Sequence, residues 1–532
     1  MDEAENNTKS LAGPNDDVDE TLGTTVEIIN AGGHKQELDR NFSLLSISAV
    51  GIVNGNTWAA LGGSIAVAIS NGGPPGVIYE FIAVSIFYCL IAASLAELAS
   101  AIPSSGGVYH WASVTAGKYG RVCGFFAGFW NFFAWIFAAA STSAIIGNLT
   151  VQMYATYHPE FQAKSWHVFV SYLIVTWCCC CIVLFANRAL PALNNFGLFF
   201  ILGGVFITIL VCAAVPGSGG RPPHASPAFV FKNWSADIGY SSNGFVFLMG
   251  MLNGAYAIGT PDCVSHLAEE IPRPEINVPK AIAAQMMIGF VTALCYMIAI
   301  FFAVNDLSAV LSGSSTFPLA EIYRQATGSR AGTVGLLGVI FLPIVCTCID
   351  TYIAAGRTLW ALARDNATPF GTFIGRVDPR WRNPFNATLV CGCMCTILGC
   401  VYVGSSTAFN AFVGSFVLLS SSSYLAAILP HLLSRRSNVT PGPFWMNGLV
   451  GYAIHGISCS YIAVFIVIFC FPYALPVQAS NMNYSCLIIG GLTVFVSVVW
   501  LFKGRKGYNG PQALNYKGRE VESVIVEKAN EA

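Results

Sequence analysis

Of the chain's 532 residues, 55% are apolar and only 10% charged, and the mean hydropathy is +0.61. A water-soluble globular protein does not reach that balance, which excludes a soluble enzyme or nucleic-acid-binding protein and predicts a polytopic membrane protein. The net charge of −1 says nothing about partners.

Residues 1–41 are acidic, polar and rich in Asn, Asp and Gly, without the apolar core of a cleaved signal peptide, and read as a disordered cytoplasmic tail. A spanning helix needs roughly 20 mostly apolar residues. On that rule the pattern predicts twelve transmembrane helices at 43–70, 77–101, 123–146, 166–186, 190–215, 243–267, 281–304, 332–357, 385–403, 408–432, 447–471 and 484–502. With the N-terminus inside, sixteen of the Lys and Arg between Arg40 and Lys506 fall on the cytoplasmic side and five outside. That asymmetry predicts cytoplasmic termini.

The first span carries Asn54, Gly55, Asn56, Thr57 and Trp58 at its centre, which is poor helix-forming material. Spans 1 to 5 (42–216) and 6 to 10 (243–433) are separated by an outer loop (217–242) and followed by helices 11–12 (434–502) and a tail (503–532). Because five is odd, the second unit starts on the opposite side of the membrane, giving a 5+5 inverted repeat. Carriers of that design interrupt the first helix of each half at the midplane. Span 6 has the matching flaw in "NGAYAIGTPDC": Pro261 removes a donor and disfavours helix at Thr260. Residues 54–58 and 256–262 therefore read as two unwound hinges facing each other across a substrate site. "WCCCC" (177–181) and "CGCMC" (391–395) lie within spans. Successive helical positions fan out around the axis, so these cysteines read as apolar filler and no metal is expected.

Span 2 ends in "SLAELASAIPSSGGVYHWASVTAGKYG" (94–120), which resembles a signature of the amino acid, polyamine and organocation transporter superfamily through Glu97, Leu98, Pro103, Gly106, Gly107 and Tyr109. "DCVSHLAEEIPRPEINVPKAI" (262–282) and "GRTLWALARDNATPF" (356–370) are similar to loops of that superfamily. The fragments "STSAIIGNLTVQMYATYHPEF", "NDLSAVLSG" and "NMNYSCLIIGG" resemble the fungal choline and GABA permease group. The resemblance implies an all-α, LeuT-like transporter that is not an enzyme and takes a small organic cation or amino acid, with no cofactor.

The site residues follow from chemistry. Amino acid carriers of the superfamily seat a carboxylate on a small Gly-Ser-Gly turn, whereas this chain has two amides and an indole. A quaternary ammonium is recognised by aromatic faces and negative charge, for which Trp58, Trp130, Trp135, Tyr256 and Tyr352 are candidates beside Gly259. Intramembrane carboxylates are expensive unless paired, which singles out Glu80, Glu97, Asp262 and Asp350. Asp350 reads as counter-charge or proton carrier, or else as satisfied by Thr347, Thr351 or Arg357. Glu80 reads as a cation attractor in the outer vestibule, and His266 as a pH-responsive partner of Asp262 or a plain hydrogen bond. Glu97, Glu269 and Glu270 read as gate structure, the last two paired with loop arginines.

No Gly-Lys-Ser/Thr loop cradles a nucleotide, so energy comes from a gradient, with a proton the expected coupling ion. Asn233 in "KNWS" is the expected glycan acceptor, and Asn438 should never be modified. Three functions stay open: a proton-coupled choline or amine importer at the plasma membrane, a GABA or other amino acid permease, and a nutrient sensor with this fold. The tail is equally consistent with turnover through Lys9 and Lys35.

Overall fold

The computed structural model describes residues 44–511 except 220, 237, 312–316, 406, 505–506 and 509. The expected tails at 1–41 and beyond 511, with Lys9, Lys35, Arg505 and Lys506, lie outside the described residues. In chain order the helices are α1 (Leu44–Gly55), α2 (Thr57–Gly63), α3 (Gly73–Ala101), α4 (Val108–Thr115), α5 (Gly120–Tyr157), α6 (Ser165–Phe185), α7 (Leu190–Ala214), α8 (Pro227–Phe231) and α9 (Asn243–Ile258). They continue as α10 (Pro274–Phe302), α11 (Leu307–Leu311), α12 (Pro318–Thr327), α13 (Arg330–Arg364), α14 (Gly371–Ile374), α15 (Phe385–Gly404), α16 (Ala408–Leu433), α17 (Gly448–Ile468) and α18 (Ser485–Val499). A 3₁₀ segment, Cys263–Glu270, follows α9. A two-residue ribbon pairs β1 (Asn71–Gly72) antiparallel with β2 (Ser235–Ala236).

Among the described residues, ten helical segments, those built on α3, α5, α6, α7, α10, α13, α15, α16, α17 and α18, are long and apolar enough to cross a membrane. The two other expected spans, 43–70 and 243–267, are broken into pieces of 12 and 7 residues and of 16 residues with a 3₁₀ segment. Most predicted bounds hold to a few residues. Helix α5 instead runs 38 residues, because an apolar window sees only its hydrocarbon part. Its polar end continues the helix, with the side chains of Asn148 and Thr150 donating to the carbonyls of Ala144 and Ile146. Helix α13 likewise extends to Arg364.

Large apolar side chains cover the outer faces: Phe199 and Phe206 on α7 are 71% and 65% exposed, and Leu487 and Val494 on α18 are 68% and 65% exposed. Such a belt is stable only against lipid. Helix α5 packs against α16, α13, α4 and α6, and both broken segments lie inside the bundle, α1 against α10, α7 and α13, and α9 against α3, α2 and α16. Cys178 and Cys181 are exposed while Cys179 and Cys180 are buried, the fanning expected of successive helical positions.

Candidate substrate site at two helix breaks

The first break is narrower than the sequence predicts. Only Asn56, with φ 19° and ψ 47°, leaves helical geometry; Asn54 and Gly55 end α1, and Thr57 and Trp58 open α2. The ladder survives across it because Asn56 N–H still donates to Ile52 O (2.8 Å) and Asn56 O accepts from Ala59 and Ala60. A side chain of α13 secures the kink. Asn56 Nδ2 donates to Thr347 Oγ1 (2.9 Å), which itself reaches Val53 O at 2.7 Å.

The second break is wider. Helix α9 runs through Tyr256 to Ile258, and residues 259–262 are non-helical, as Pro261 requires. Carbonyls freed at this depth need partners. Gln285 Nε2 of α10 donates to both Thr260 O and Thr260 Oγ1 at 2.9 Å. The Tyr424 hydroxyl of α16 lies 3.1 Å from Gly259 O and 2.6 Å from Asp262 Oδ1. Gln285 also joins the breaks, since a Cβ built on Gly55 would stand 2.9 Å from Gln285 Cγ.

Asp262 is fully buried and accepts from Asn131 Nδ2 at 2.7 Å as well as facing Tyr424. His266 Nε2 lies 3.2 Å from Asp262 Oδ2 and 3.1 Å from Trp135 Nε1, and its Nδ1 lies 3.2 Å from Thr358 Oγ1. Three rings gather beside this break. Phe416 stands edge-on to Tyr256 (5.7 Å, 87°) and tilted against Trp135 (6.2 Å). A Cβ on Gly259 would lie 3.3 Å from the Phe416 ring. The Tyr256 hydroxyl is tied to Ser141 Oγ at 2.9 Å.

The other expected aromatics face elsewhere. Trp58 packs edge-on to Tyr296 of α10 (5.1 Å), Trp130 donates to Thr493 of α18, and Tyr352 lies beside Cys395 and Tyr172. Asp350 is buried, yet neither threonine nor arginine satisfies it. Thr351 donates to Cys348 O, and Arg357 is paired with Glu270. Asp350 Oδ1 accepts from Asn194 Nδ2 of α7 (3.2 Å), and Oδ2 has no partner. Glu80, expected at an outer vestibule, is instead 1% exposed, enclosed between α3 and α9.

Over residues 42–492 the sequence matches the amino acid permease family. The chain belongs to this family. The permease is 34% identical over 479 residues to a choline transporter of Saccharomyces cerevisiae, covering 89% of the permease and 83% of that relative. It is 26% identical over 544 residues to a 7-keto 8-aminopelargonic acid transporter of the same yeast, covering 90% and 94%. An amino-acid permease of Arabidopsis thaliana is 24% identical over 497 residues, covering 90% and 94%. Family and relatives are transporters, and the permease is a multi-pass integral membrane protein.

The permease is closed at its basic end by ion pairs between the 3₁₀ segment and α13. Arg357 Nη2 meets Glu270 Oε1 at 2.9 Å, and Arg364 Nη2 meets Glu269 Oε1 at 3.3 Å. Both arginines stand on the helix rather than in a loop. Ser105 donates to Glu269 from the signature turn, whose Gly107 (φ +49°) comes so close that a Cβ would lie 2.6 Å from Ser265 Oγ. Glu97 belongs to a separate group. Its Oε1 is 2.6 Å from Arg436 Nη2, 3.2 Å from His431 Nε2 and 3.3 Å from His455 Nε2, clasping α3 to α16 and α17. Those three ligand-type atoms lie within 4.8 Å of one another, but Arg436 already supplies the cation on the shared oxygen.

Sequence reasoning missed Gln285, Asn131, Asn194, Tyr424 and Phe416. Gln285 had a signal, a lone amide in the middle of an apolar span. Asn131, the lone amide of the span at 123–146, had the same signal, and Asn194, Tyr424 and Phe416 had none beyond their residue type.

Proposed function

We propose that the permease is a secondary active carrier that imports choline or a related small amine by alternating access, driven by protons. The observation that carries this reading is the group of Trp135, Tyr256 and Phe416 beside Gly259 and the buried Asp262. A quaternary ammonium has no N–H to donate and is held by ring faces and nearby negative charge. The polar atoms left over around the breaks agree with it. Among the described residues Asn54 Oδ1, Asn56 Oδ1, Asn131 Oδ1, Asn194 Oδ1 and Asp350 Oδ2 are buried acceptors without a donor and outnumber the orphaned Trp58 Nε1 donor and Tyr352 hydroxyl, a balance that favours a cation over a carboxylate. The likeness to the yeast choline transporter points the same way.

In this reading there are twelve spans, with 42–216 and 243–433 as inverted five-helix repeats, 217–242 as an extracellular loop and both termini cytoplasmic. The membrane is the plasma membrane. The pairs of Glu269 and Glu270 form the inner gate. Asp262 is the counter-charge, and Asp350, with its free oxygen, carries the coupling proton, while His266 orients Asp262. Gly55, Asn54, Asn56 and Thr57 shape the first break. The second reading, an amino acid permease, draws on the Arabidopsis relative.

The test is competition uptake of labelled choline in transporter-deficient yeast at acid and neutral pH, against ethanolamine, GABA and amino acids, repeated with Asp350→Asn. Saturable choline uptake that rises in acid and collapses in the variant is expected. Flux of GABA or amino acids without choline uptake would overturn the organic-cation reading.

A further inference from the structure

We propose that Glu80 is a second proton-binding site, formed between α3 and the first half of the broken helix, α9, and opened when these helices part. The inference rests on the reading of the permease as a proton-driven carrier. Glu80 stands seven residues inside α3, about 10 Å from its start. Among the described residues neither carboxyl oxygen has a hydrogen-bond partner, although the side chain is almost wholly enclosed. The enclosure comes from Gly250 of α9, where a Cβ would fall 2.1 Å from Oε1 and 2.3 Å from Oε2. Only a glycine admits the carboxyl there.

Three states of such a carboxyl are conceivable, and the surroundings select one. A bare carboxylate requires hydrogen-bond donors or a cation partner, and none reaches it. Tyr79 on its own helix is spent on Phe231 O, Tyr256 on Ser141 and Tyr296 on Tyr323. Lys232, beyond α8, is exposed; α8, α9 and β1 carry no acidic, basic or histidine side chain, Glu275 and Lys280 stand in the first two turns of α10, and His431 of α16 and His455 of α17 face Glu97, far along α3 from Glu80. A metal cation takes roughly six or more oxygens, whereas the wall that α9 sets against the carboxyl is Gly250, which has no side chain. A proton needs only the carboxyl itself.

The site is also placed to couple to motion. Helix α9 is tied to the end of α2 through Ser64 and Asn253, so both broken spans move with the wall that covers Glu80. Above it the β1–β2 ribbon and the Trp234 ring, laid on Gly72, close the same end of the bundle. Separation of α9 from α3 uncovers the carboxyl toward that end, where it exchanges its proton; closure traps the neutral acid.

The experiment uses the full chain in lipid vesicles, comparing wild type, Glu80→Gln and Glu80→Asp. Infrared spectra at neutral pH should show a protonated-carboxyl band in wild type that is missing from Glu80→Gln and unchanged by sodium. Labelled choline should still exchange by counterflow in Glu80→Gln, while accumulation driven by a proton gradient is lost and Glu80→Asp restores part of it. An unchanged band in Glu80→Gln, its displacement by sodium, or full proton-driven accumulation in that variant overturns the proposal. If wild type shows no choline counterflow, the substrate reading fails, and the infrared band still decides the site.

Discussion

Gln285 donates from one nitrogen to both the carbonyl and the hydroxyl of Thr260, at 2.9 Å each. The same side chain fills the space that a methyl on Gly55 would need. One amide on an unbroken helix therefore holds the second break and packs against the first, so the two hinges share a fastening that neither supplies itself.

Replacing Gln285 by Leu keeps the volume and removes the donor to Thr260 Oγ1 and O, leaving the carbonyl only the Cys263 N–H at 3.2 Å. A lost buried hydrogen bond costs about 0.5–1.5 kcal/mol. Thermal unfolding in detergent should fall accordingly and uptake should fall with it, whereas Gln285→Glu should lose uptake with a smaller change in stability if its protonated carboxyl still donates to Thr260. Unchanged uptake in Gln285→Leu would show that the fastening is irrelevant to transport.

At the basic end, Arg357 is wholly buried against Glu270 and Asn187 Oδ1. Removing one partner of a buried pair strands the other charge, at about 3–5 kcal/mol. Arg357→Met should therefore unfold at lower temperature than the double variant Arg357→Met with Glu270→Gln, in which no bare charge remains. Equal losses in both would show that the pair is not the unit of stability.

The breaks were legible because their causes are local. Pro261 cannot donate and Thr260 precedes it, and Asn54 to Thr57 interrupt an apolar run, so composition alone marks both places. Their widths were not legible, because the Asn56 side chain that fixes the kink is held by Thr347, 291 residues away. The side of the helix was not legible either. Trp58 adjoins the first break in sequence but packs on Tyr296, while Phe416 carries no local mark and meets Tyr256 only through the packing of α16.

Asn233 is exposed beyond α8, whereas Asn438 donates to Thr115 O at the opposite, basic end. Expressed in a secretory pathway, the permease should carry a glycan that Asn233→Gln removes and Asn438→Gln leaves. A glycosidase-sensitive shift that depends on Asn438 would reverse the assigned orientation.

Outside the spans, Glu321 on α12 faces Arg324 with Oε2 2.6 Å from Nε. Burial pushes its carboxyl up, but bonds from Arg324 and Gln325 outweigh that and hold it below its ordinary range. A depressed folded pKa gives stability that is present above the unfolded value of about 4.3 and lost as pH falls through the folded one. Glu321→Gln should therefore lower the unfolding temperature slightly at neutral pH, by under about 1 kcal/mol because Arg324 is exposed, and not at strongly acid pH. A loss that persists in acid would mean packing, not charge, holds α12.

The aromatic group gives the sharpest division among side chains that residue type alone cannot separate. Trp58 of α2, buried against α10, should tolerate Phe with little change in choline KM, because its ring meets Tyr296 rather than the second break. Phe416→Leu removes a ring in contact with both Tyr256 and Trp135 and should raise KM about tenfold, matching a cation–π contribution of 1–2 kcal/mol in a desolvated site. Tyr256→Phe keeps the ring and loses only the bond to Ser141, so it should fall between the two. Uptake kinetics of the three variants at equal surface expression check the order. If Trp58→Phe proves the most damaging, the cation seat lies at the first break, and the group around Phe416 serves packing.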